Sequence, residues 1–141
     1  MARQPAGLHI RAFREADAAI LARLFHESVH GATTRDYSEV ERRAWSPAIP
    51  DARAWAARMA ARTTLVAEHA GVIVGFAELE PPDHLDLLYV SKDHQGLGVA
   101  SALLAAVEDR ARRAGATRLV TAASLTARPF FAGRGFTITA D

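Results

Sequence analysis

The stretch from residue 85 to residue 107 combines residue types that can bind an anion. The apolar, β-prone run of a buried strand is made by Leu85, Leu87, Leu88, Tyr89 and Val90. Gly96 and Gly98 follow, and Val99, Leu103 and Val107 then recur at helical spacing. The first N–H groups of a helix have no partner within it, and the helix dipole adds partial positive charge there. Because glycine has no Cβ, an anion can reach this backbone, so the segment predicts a phosphate-binding loop.

The order of residues in this loop is similar to that of a known enzyme family. Residues 95–100 read Gln-Gly-Leu-Gly-Val-Ala and fit Gln/Arg-x-x-Gly-x-Gly/Ala. This resembles the acetyl-CoA pyrophosphate loop of the GNAT N-acetyltransferases, and residues 88–90 resemble the family's signature strand. Residues 124–136 resemble its late segment, a short helix ending in Phe-Tyr-x-x-x-Gly-Phe. The resemblance implies transfer of an acetyl group from acetyl-CoA to an amine of an unidentified small molecule or peptide, by direct attack.

The resemblance also implies which residues hold acetyl-CoA, the co-substrate. The pantetheine arm would pair with the signature strand, and the pyrophosphate would accept N–H groups from residues 96–101. The thioester carbonyl would point to an N–H near Val90, which can stabilise the developing oxyanion. No metal is expected. The expected cofactor-binding residues are Leu88, Tyr89, Val90, Gln95, Gly96, Leu97, Gly98, Val99, Ala100, Ser101, Ser124 and Phe131.

Direct transfer needs a base for the amine, and family members often place it on the strand before the loop. The matching positions here are His84 and Asp86, which lie two apart and so share one strand face, with Leu88 on the same face. Histidine is a suitable base near neutral pH. Each residue can instead be structural: His84 as a polar residue beside a proline turn, and Asp86 as a buried carboxylate held by backbone N–H groups or by an arginine. Glu78 could act through a water.

The sequence differs from the family pattern at the residue that would protonate the leaving thiolate. The family's tyrosine would lie at Phe131, and a phenyl ring donates no proton. Another group or water could protonate the thiolate, transfer could be slow, or the domain could bind acyl-CoA without catalysing. Tyr89 is predicted to point away from the face of Leu88 and Val90, whereas Tyr37 could swing over the site.

The acceptor pocket is expected between Val29 and Trp55, since this arm covers the site in the family. His30, Tyr37 and Trp45 are its candidate lining residues, with core and cover packing as the alternative interpretation. The acceptor itself cannot be identified from these residues.

A rival motif lies in the first helix. His26-Glu27-Ser28-Val29-His30 satisfies His-Glu-x-x-His, which places two zinc ligands one helical turn apart and a glutamate as base. Gly31 follows at once and is expected to end the helix, and no third ligand stands at the matching spacing. A zinc hydrolase is therefore kept only as an alternative to the transferase and to the binding module.

Composition narrows the function classes. The 141 residues, half of them hydrophobic, suit one globular domain over residues 1–141. Seventeen basic and 16 acidic residues give a net charge of +1, which favours neither nucleic acid nor an anionic membrane as partner. Without cysteine, disulfides and a thiol nucleophile are excluded. No membrane-spanning run or signal peptide is recognised, so a cytoplasmic enzyme is expected.

The predicted element order is β α α α β β β α β α β. It includes a helix from Asp17 to Val29 and, late in the chain, a strand at 118–123, a helix at 126–132 and the start of a strand at 136–140. The strand–helix–strand unit from residue 84 to 123 requires a parallel pair. We therefore predict an α/β fold with a mixed sheet and helices on both faces, as in GNAT enzymes. The family usually has one more strand after this point, and its absence would leave a sheet edge open. A partner chain could cover that edge, the sequence could be cut short, or the resemblance could be looser than the motifs imply.

Overall fold

A computed structural model describes residues 6–32, 35–124 and 127–137 of the chain. Two short 3₁₀ turns, Glu15–Asp17 and Lys92–His94, accompany the longer elements. The strands are β1 Leu8–Ala12, β2 Thr63–His69, β3 Val72–Glu80, β4 His84–Val90 and β5 Val120–Thr121. The helices are α1 Ala18–Ala32, α2 Glu39–Trp45, α3 Ala52–Ala60, α4 Val99–Arg113 and α5 Arg128–Ala132. None of the helices in these ranges has the length and apolar character of a membrane span.

The sheet is mixed, as predicted. Its strands lie in the order β1-β2-β3-β4-β5, with antiparallel pairing up to β4 and parallel pairing between β4 and β5. Helix α4 makes the crossover between the two parallel strands, because parallel neighbours need a long connection. The open sheet has no further strand among the residues that the structure describes.

Two apolar clusters cover the two faces of the sheet. One contains Leu103 and Val107 of α4 with Leu85 and Val90 of β4, and Phe131 of α5 closes its end. The other joins α1 and α3 to the opposite face, through residues Leu21, Trp55, Met59, Val66 and Phe76. The predicted arrangement of helices on both faces is therefore confirmed.

The starts of the short helices follow from local capping. In α2 the Ser38 hydroxyl accepts from the Glu41 backbone N–H at 3.1 Å, and the Ser38 N–H donates to the Glu41 carboxylate at 2.8 Å. In α3 the Asp51 carboxylate accepts from the Ala54 N–H at 3.0 Å. Both boundaries were predictable because a capping side chain satisfies N–H groups that the helix leaves unpaired.

Three predicted boundaries are wrong. Helix α1 continues through Gly31 to Ala32, because glycine at a negative φ lowers helix stability by only about 1 kcal/mol and does not end a helix. Strand β5 covers two residues instead of 118–123, because it pairs only with His84 and Leu85 at the start of β4. Helix α5 starts at Arg128. Most of the strand predicted at 136–140 lies outside the described residues.

Strand β4 contains a bulge that changes which side chains share a face. Glu78 pairs with Leu87 and Leu79 pairs with Leu85, so Asp86 is the extra residue. As a result, Asp86 bonds to residues on the α3 side, whereas Leu88 packs on the α4 side. The prediction that Asp86 and Leu88 share a face is wrong, because a bulge breaks the alternation on which it rests.

The close approach of α4 to β3 leads to a first prediction. A Cβ at Gly75 would lie 2.9 Å from the Tyr89 carbonyl oxygen and 3.2 Å from side-chain atoms of Leu103 and Val99. We expect Gly75→Ala to lower the free energy of unfolding by about 1–3 kcal/mol in urea denaturation, because the core must shift. Gly31→Ala is the matched control: its Cβ would meet only Lys92 Cδ, at 3.7 Å, and in a helix it should stabilise by about 0.5 kcal/mol. Equal midpoints for both variants would contradict the packing.

A second prediction concerns the ion pair between β1 and the start of α1. Arg11 donates to both Asp17 carboxylate oxygens, at 2.8 and 2.9 Å, and this bond, helped by the Arg14 N–H, holds the pKa of Asp17 below its usual range against burial. The stabilisation is therefore present above the unfolded pKa of about 3.9 and is lost as pH falls through the lower folded pKa.

We expect Asp17→Asn to lower the free energy of unfolding by about 1.5–3 kcal/mol at pH 7. The difference in the free energy of unfolding between this variant and the parent should decrease as pH falls below about 4. Asp109→Asn is the control, since Asp109 pairs with Arg113 on an exposed helix face and should change stability by less than about 1 kcal/mol. A gap for Asp17→Asn that stays constant in acid would refute the linkage.

Candidate functional site

The loop before α4, residues 95–98, presents backbone N–H groups to a concave surface. Gly96 and Gly98 have φ values of +76° and +80°, a conformation that glycine adopts without strain. Gly98 is the N-cap of α4, and its carbonyl accepts the Ala102 N–H at 3.0 Å. The N–H groups of the first helical turn therefore have no carbonyl within the helix. The sequence-predicted anion site has the backbone geometry that such a site requires.

A cavity of about 330 Å³, the loop cavity, lies at this helix start. Arg134 and His94 border it: Arg134 contacts the Ser101 hydroxyl and lies 4.6 Å over the Phe130 ring, and His94 lines the wall. The sequence analysis did not identify Arg134 as a site residue. The other lining residues are Val90, Gln95, Gly96, Gly98, Val99, Ala100 and Ser101.

A second cavity of about 370 Å³, the strand cavity, adjoins the first at the end of β4. It exists because β5 pairs only with the first two residues of β4, so the rest of β4 has no strand beside it on that side within the described residues. The two cavities share Val90, Gln95, Ala100 and Phe130. The strand cavity is also lined by Ser28, Trp45, Leu88, Tyr89, Lys92, Ser124, Ala127 and Phe131.

The predicted cofactor residues thus lie along one groove, except Leu97. The side chain of Gln95 has a structural role there. Leu97 lines neither cavity and is 55% exposed. The Gln95 side chain donates to the Val90 carbonyl at 2.9 Å, so it fastens the loop to the strand. Phe131 is buried between Phe130 and Phe136, with ring centroids 5.2 and 5.0 Å away.

The predicted base residues lie in a charged cluster at the other end of β4. The carboxylate of Glu78 is fully buried and accepts two bonds from Arg58 Nε, at 3.0 and 3.1 Å, and one from Arg62 Nη1 at 2.6 Å. Both arginines also bond Asp86, at 2.6 and 2.7 Å. Sequence reasoning missed these arginines, because Arg58 lies on α3 and Arg62 follows the end of that helix, and only the fold brings both to the same carboxylates.

The cluster makes its three predicted residues chemically different. Burial works to raise the pKa of Asp86, but the Arg62 hydrogen bond and the charges of Arg58 and His84 prevail and hold it below its ordinary value. A carboxylate so stabilised is a weaker base. His84 is about a third exposed, and its Nδ1 lies 3.4 Å from Glu80. His84 is thus the one of the three that no guanidinium holds among the contacts described.

The three predicted acceptor-pocket residues separate. Trp45 lines the strand cavity. The ring of Tyr37 packs edge-on against the ring of Trp45, with centroids 5.4 Å apart. His30 instead lines a neighbouring cavity of about 570 Å³ between α1 and the turn after β4. Lys92 and Ser28 border both cavities.

The His-Glu-x-x-His residues bond to the end of α2. The rings of His26 and His30 lie 4.4 Å apart; His26 Nδ1 is 2.8 Å from the Ser46 hydroxyl, and His30 Nε2 donates to the Ser46 carbonyl at 2.6 Å. Over the described ranges, no group of three potential ligands is placed to hold a metal ion. The two rings fasten α2, and with it Trp45, to α1.

Comparison with known proteins relates this geometry to a family. The family model for the acetyltransferase (GNAT) domain matches residues 33–141. A GCN5-related N-acetyltransferase from Rhodopseudomonas palustris is 40% identical in sequence, with a TM-score of 0.88 over 95% of this chain and 84% of that chain. A search of curated proteins gives no match.

More distant structures share the fold. The yncA protein of Salmonella typhimurium, solved with its cofactor acetyl-CoA, is 24% identical (TM-score 0.73; 96% of this chain, 82% of that one). The PaiA N-acetyltransferase of Thermoplasma acidophilum, in complex with coenzyme A, is 19% identical (TM-score 0.79; 94% and 91%). At these identities the likeness concerns the fold alone. The family model and the Rhodopseudomonas relative decide the assignment, and the chain belongs to the GNAT acetyltransferase family.

Proposed function

We propose that the protein transfers an acetyl group from acetyl-CoA to the amine of a small molecule or peptide. The observation that carries the proposal is the continuous groove from the N-terminus of α4 to the unpaired end of β4. A groove with N–H donors at one end and apolar walls at the other suits a ligand with a diphosphate and an extended amide arm. The acetyl-CoA and coenzyme A in the Salmonella and Thermoplasma structures are ligands of this kind.

In this proposal the backbone of β4 and the loop provide most of the binding. N–H groups from Gly96 to Ser101 hold the diphosphate, and the pantetheine arm lies along Leu88, Tyr89 and Val90. Ser124 and Phe131 border the arm. The thioester carbonyl accepts a backbone N–H near Val90, so that the oxyanion forms where a donor is already oriented.

The amine attacks from the side of Trp45, which lines the strand cavity and against which Tyr37 packs. We assign His84 as the base, acting through water, because strand geometry puts it about 13 Å from Leu88. Asp86 and Glu78 keep a supporting part in this assignment: their carboxylates balance the arginines beside His84. His30 would act only by positioning α2. A single domain over residues 1–141, a cytoplasmic location and a homodimer remain predictions.

A second candidate function is a binding module that holds acyl-CoA without catalysis. It is favoured by Phe131, whose phenyl ring brings no proton to the strand cavity. Binding and turnover separate the two functions, since a module would bind acetyl-CoA and release no thiol with a broad panel of amines.

Calorimetric titration with acetyl-CoA tests the cofactor site. We expect the parent to bind and Ser101→Glu to bind at least about 100-fold more weakly, because a carboxylate would meet the diphosphate. Glutamate is favourable in a first helical turn, so this variant should fold. It is preferable to Gly98→Glu, which combines the same charge with a strained positive φ.

Ala105→Glu is the matched control, since it adds the same charge on the solvent face of α4 and should bind like the parent. Equal affinity of the Ser101 and Ala105 variants would place the diphosphate elsewhere.

Thiol release with an accepted amine tests the base. We expect His84→Asn to lower kcat by about 100-fold, with a smaller change in acetyl-CoA affinity, because the base acts only in the chemical step. Asp86→Asn should reduce kcat less and should also destabilise, since two guanidiniums lose a partner. His9→Asn, an exposed histidine on β1, is the control. Unchanged turnover in both the His84 and Asp86 variants would remove the assignment.

A further inference from the structure

The strand cavity has to accommodate a leaving thiolate if the proposed function is right, and this inference depends on that function. When the amine nitrogen attacks the thioester carbon, a C–N bond forms. The C–S bond then breaks and its electron pair goes to sulfur. An acid that protonates the sulfur as this bond breaks lowers the barrier. The question is which side chain on the cavity wall can supply that proton.

Few described residues of the strand cavity carry a proton that they can transfer. Its walls are mainly apolar or aromatic, and the serines, Trp45 and Gln95 are hydrogen-bonding groups and not acids at working pH. Two proton donors remain, the phenol of Tyr89 and the ammonium of Lys92. Lys92 is exposed and lies on the border with the neighbouring cavity, whereas Tyr89 is partly buried.

The Tyr89 ring packs against two aromatic neighbours. Phe25 contacts it edge-on with centroids 5.1 Å apart, and Phe76 stacks against it at 5.9 Å. The indole of Trp45 lines the same cavity and lies near enough to the phenol to lower its pKa. The phenol carries a proton that it can give to an acceptor in the cavity.

We propose that Tyr89 is the catalytic acid and donates its phenolic proton to the coenzyme sulfur as the C–S bond breaks. The products of that step are the amide, the free thiol and a tyrosinate. The second proton of the attacking amine goes to His84 through water, and from there through solvent it restores the phenol. The proton count closes without any further reactant.

The surroundings keep the proton on the phenol until the thiolate forms. Burial raises the pKa of Tyr89, with the Asp86 charge adding to it, while the Trp45 indole and the Arg58 charge work against the rise. The phenol therefore stays protonated in the resting enzyme. The thiolate forms in the same apolar cavity, where its proton affinity also rises. The pKa values of the phenol and of the thiol are thus raised together. Trp45 and Arg58 stabilise the tyrosinate that remains.

The test compares Tyr89→Phe with Lys92→Met, using thiol release for kcat and calorimetry for acetyl-CoA affinity. We expect Tyr89→Phe to lose about 100-fold in kcat while binding acetyl-CoA within about threefold of the parent, because only the proton is removed. Lys92→Met should lower kcat by less than about tenfold because Lys92 only borders the cavity, and His9→Asn, outside the groove, should match the parent. The reverse result, with Lys92→Met slow and Tyr89→Phe unchanged, would overturn the proposal.

A shape-preserving replacement separates proton donation from packing. Site-specific 3-fluorotyrosine at position 89 keeps the ring and the hydroxyl but lowers the phenol pKa. We expect this variant to keep kcat within about tenfold of the parent because it can still donate a proton, and a loss equal to that of Tyr89→Phe overturns the assignment. If the parent itself releases no thiol with any amine, the proposed function fails and this inference fails with it. If the parent turns over and Tyr89→Phe matches it, the inference alone fails.

Discussion

Strand β4 has backbone groups on two sides, and only one side is paired along its whole length. Strand β3 pairs with it from His84 to Val90, whereas β5 pairs with its first two residues and then ends. Unpaired backbone groups in a mainly apolar cavity are costly unless they find a partner. The site follows from this constraint, because an extended amide ligand can complete the strand where β5 does not.

The other end of β4 is fixed by charge. A fully buried Glu78 is tolerable only because two guanidiniums surround it, and the same guanidiniums reach across to Asp86. The bulge at Asp86 makes this possible, since without it the carboxylate would point to the α4 side. One irregularity therefore sets the charge environment of His84 and turns Tyr89 towards α1 and α2.

Helices α1 and α2 connect these two ends of β4. Ser46, at the end of α2, bonds both histidines of α1, and Trp45 next to it lines the same cavity as Tyr89. Four aromatic rings, those of Phe25, Trp55, Phe76 and Tyr89, then pack into one cluster below the cavity. The His-Glu-x-x-His pattern thus has a structural part here, the fastening of α2 to α1.

The sequence by itself determined the features that depend on local chemistry. Capping at Ser38 and Asp51 set the starts of two helices, the apolar run set β4, and the glycines at 96 and 98 set the loop, because each depends on neighbours within a few residues. The motif residues were enough to predict the family and the mixed sheet. The long-range features were not readable in this way.

Tertiary structure decided where β5 ends, which face Asp86 takes, and which groups neutralise Glu78. Each depends on residues far apart in the chain: Thr121 bonds the Leu85 carbonyl, and Arg58 bonds carboxylates 20 and 28 residues away. Alternation along a strand cannot anticipate a bulge, because a bulge is a property of the pair of strands. The groove has the same origin. It is the space beside β4 where β5 no longer pairs with it, and the point at which pairing ends depends on both strands.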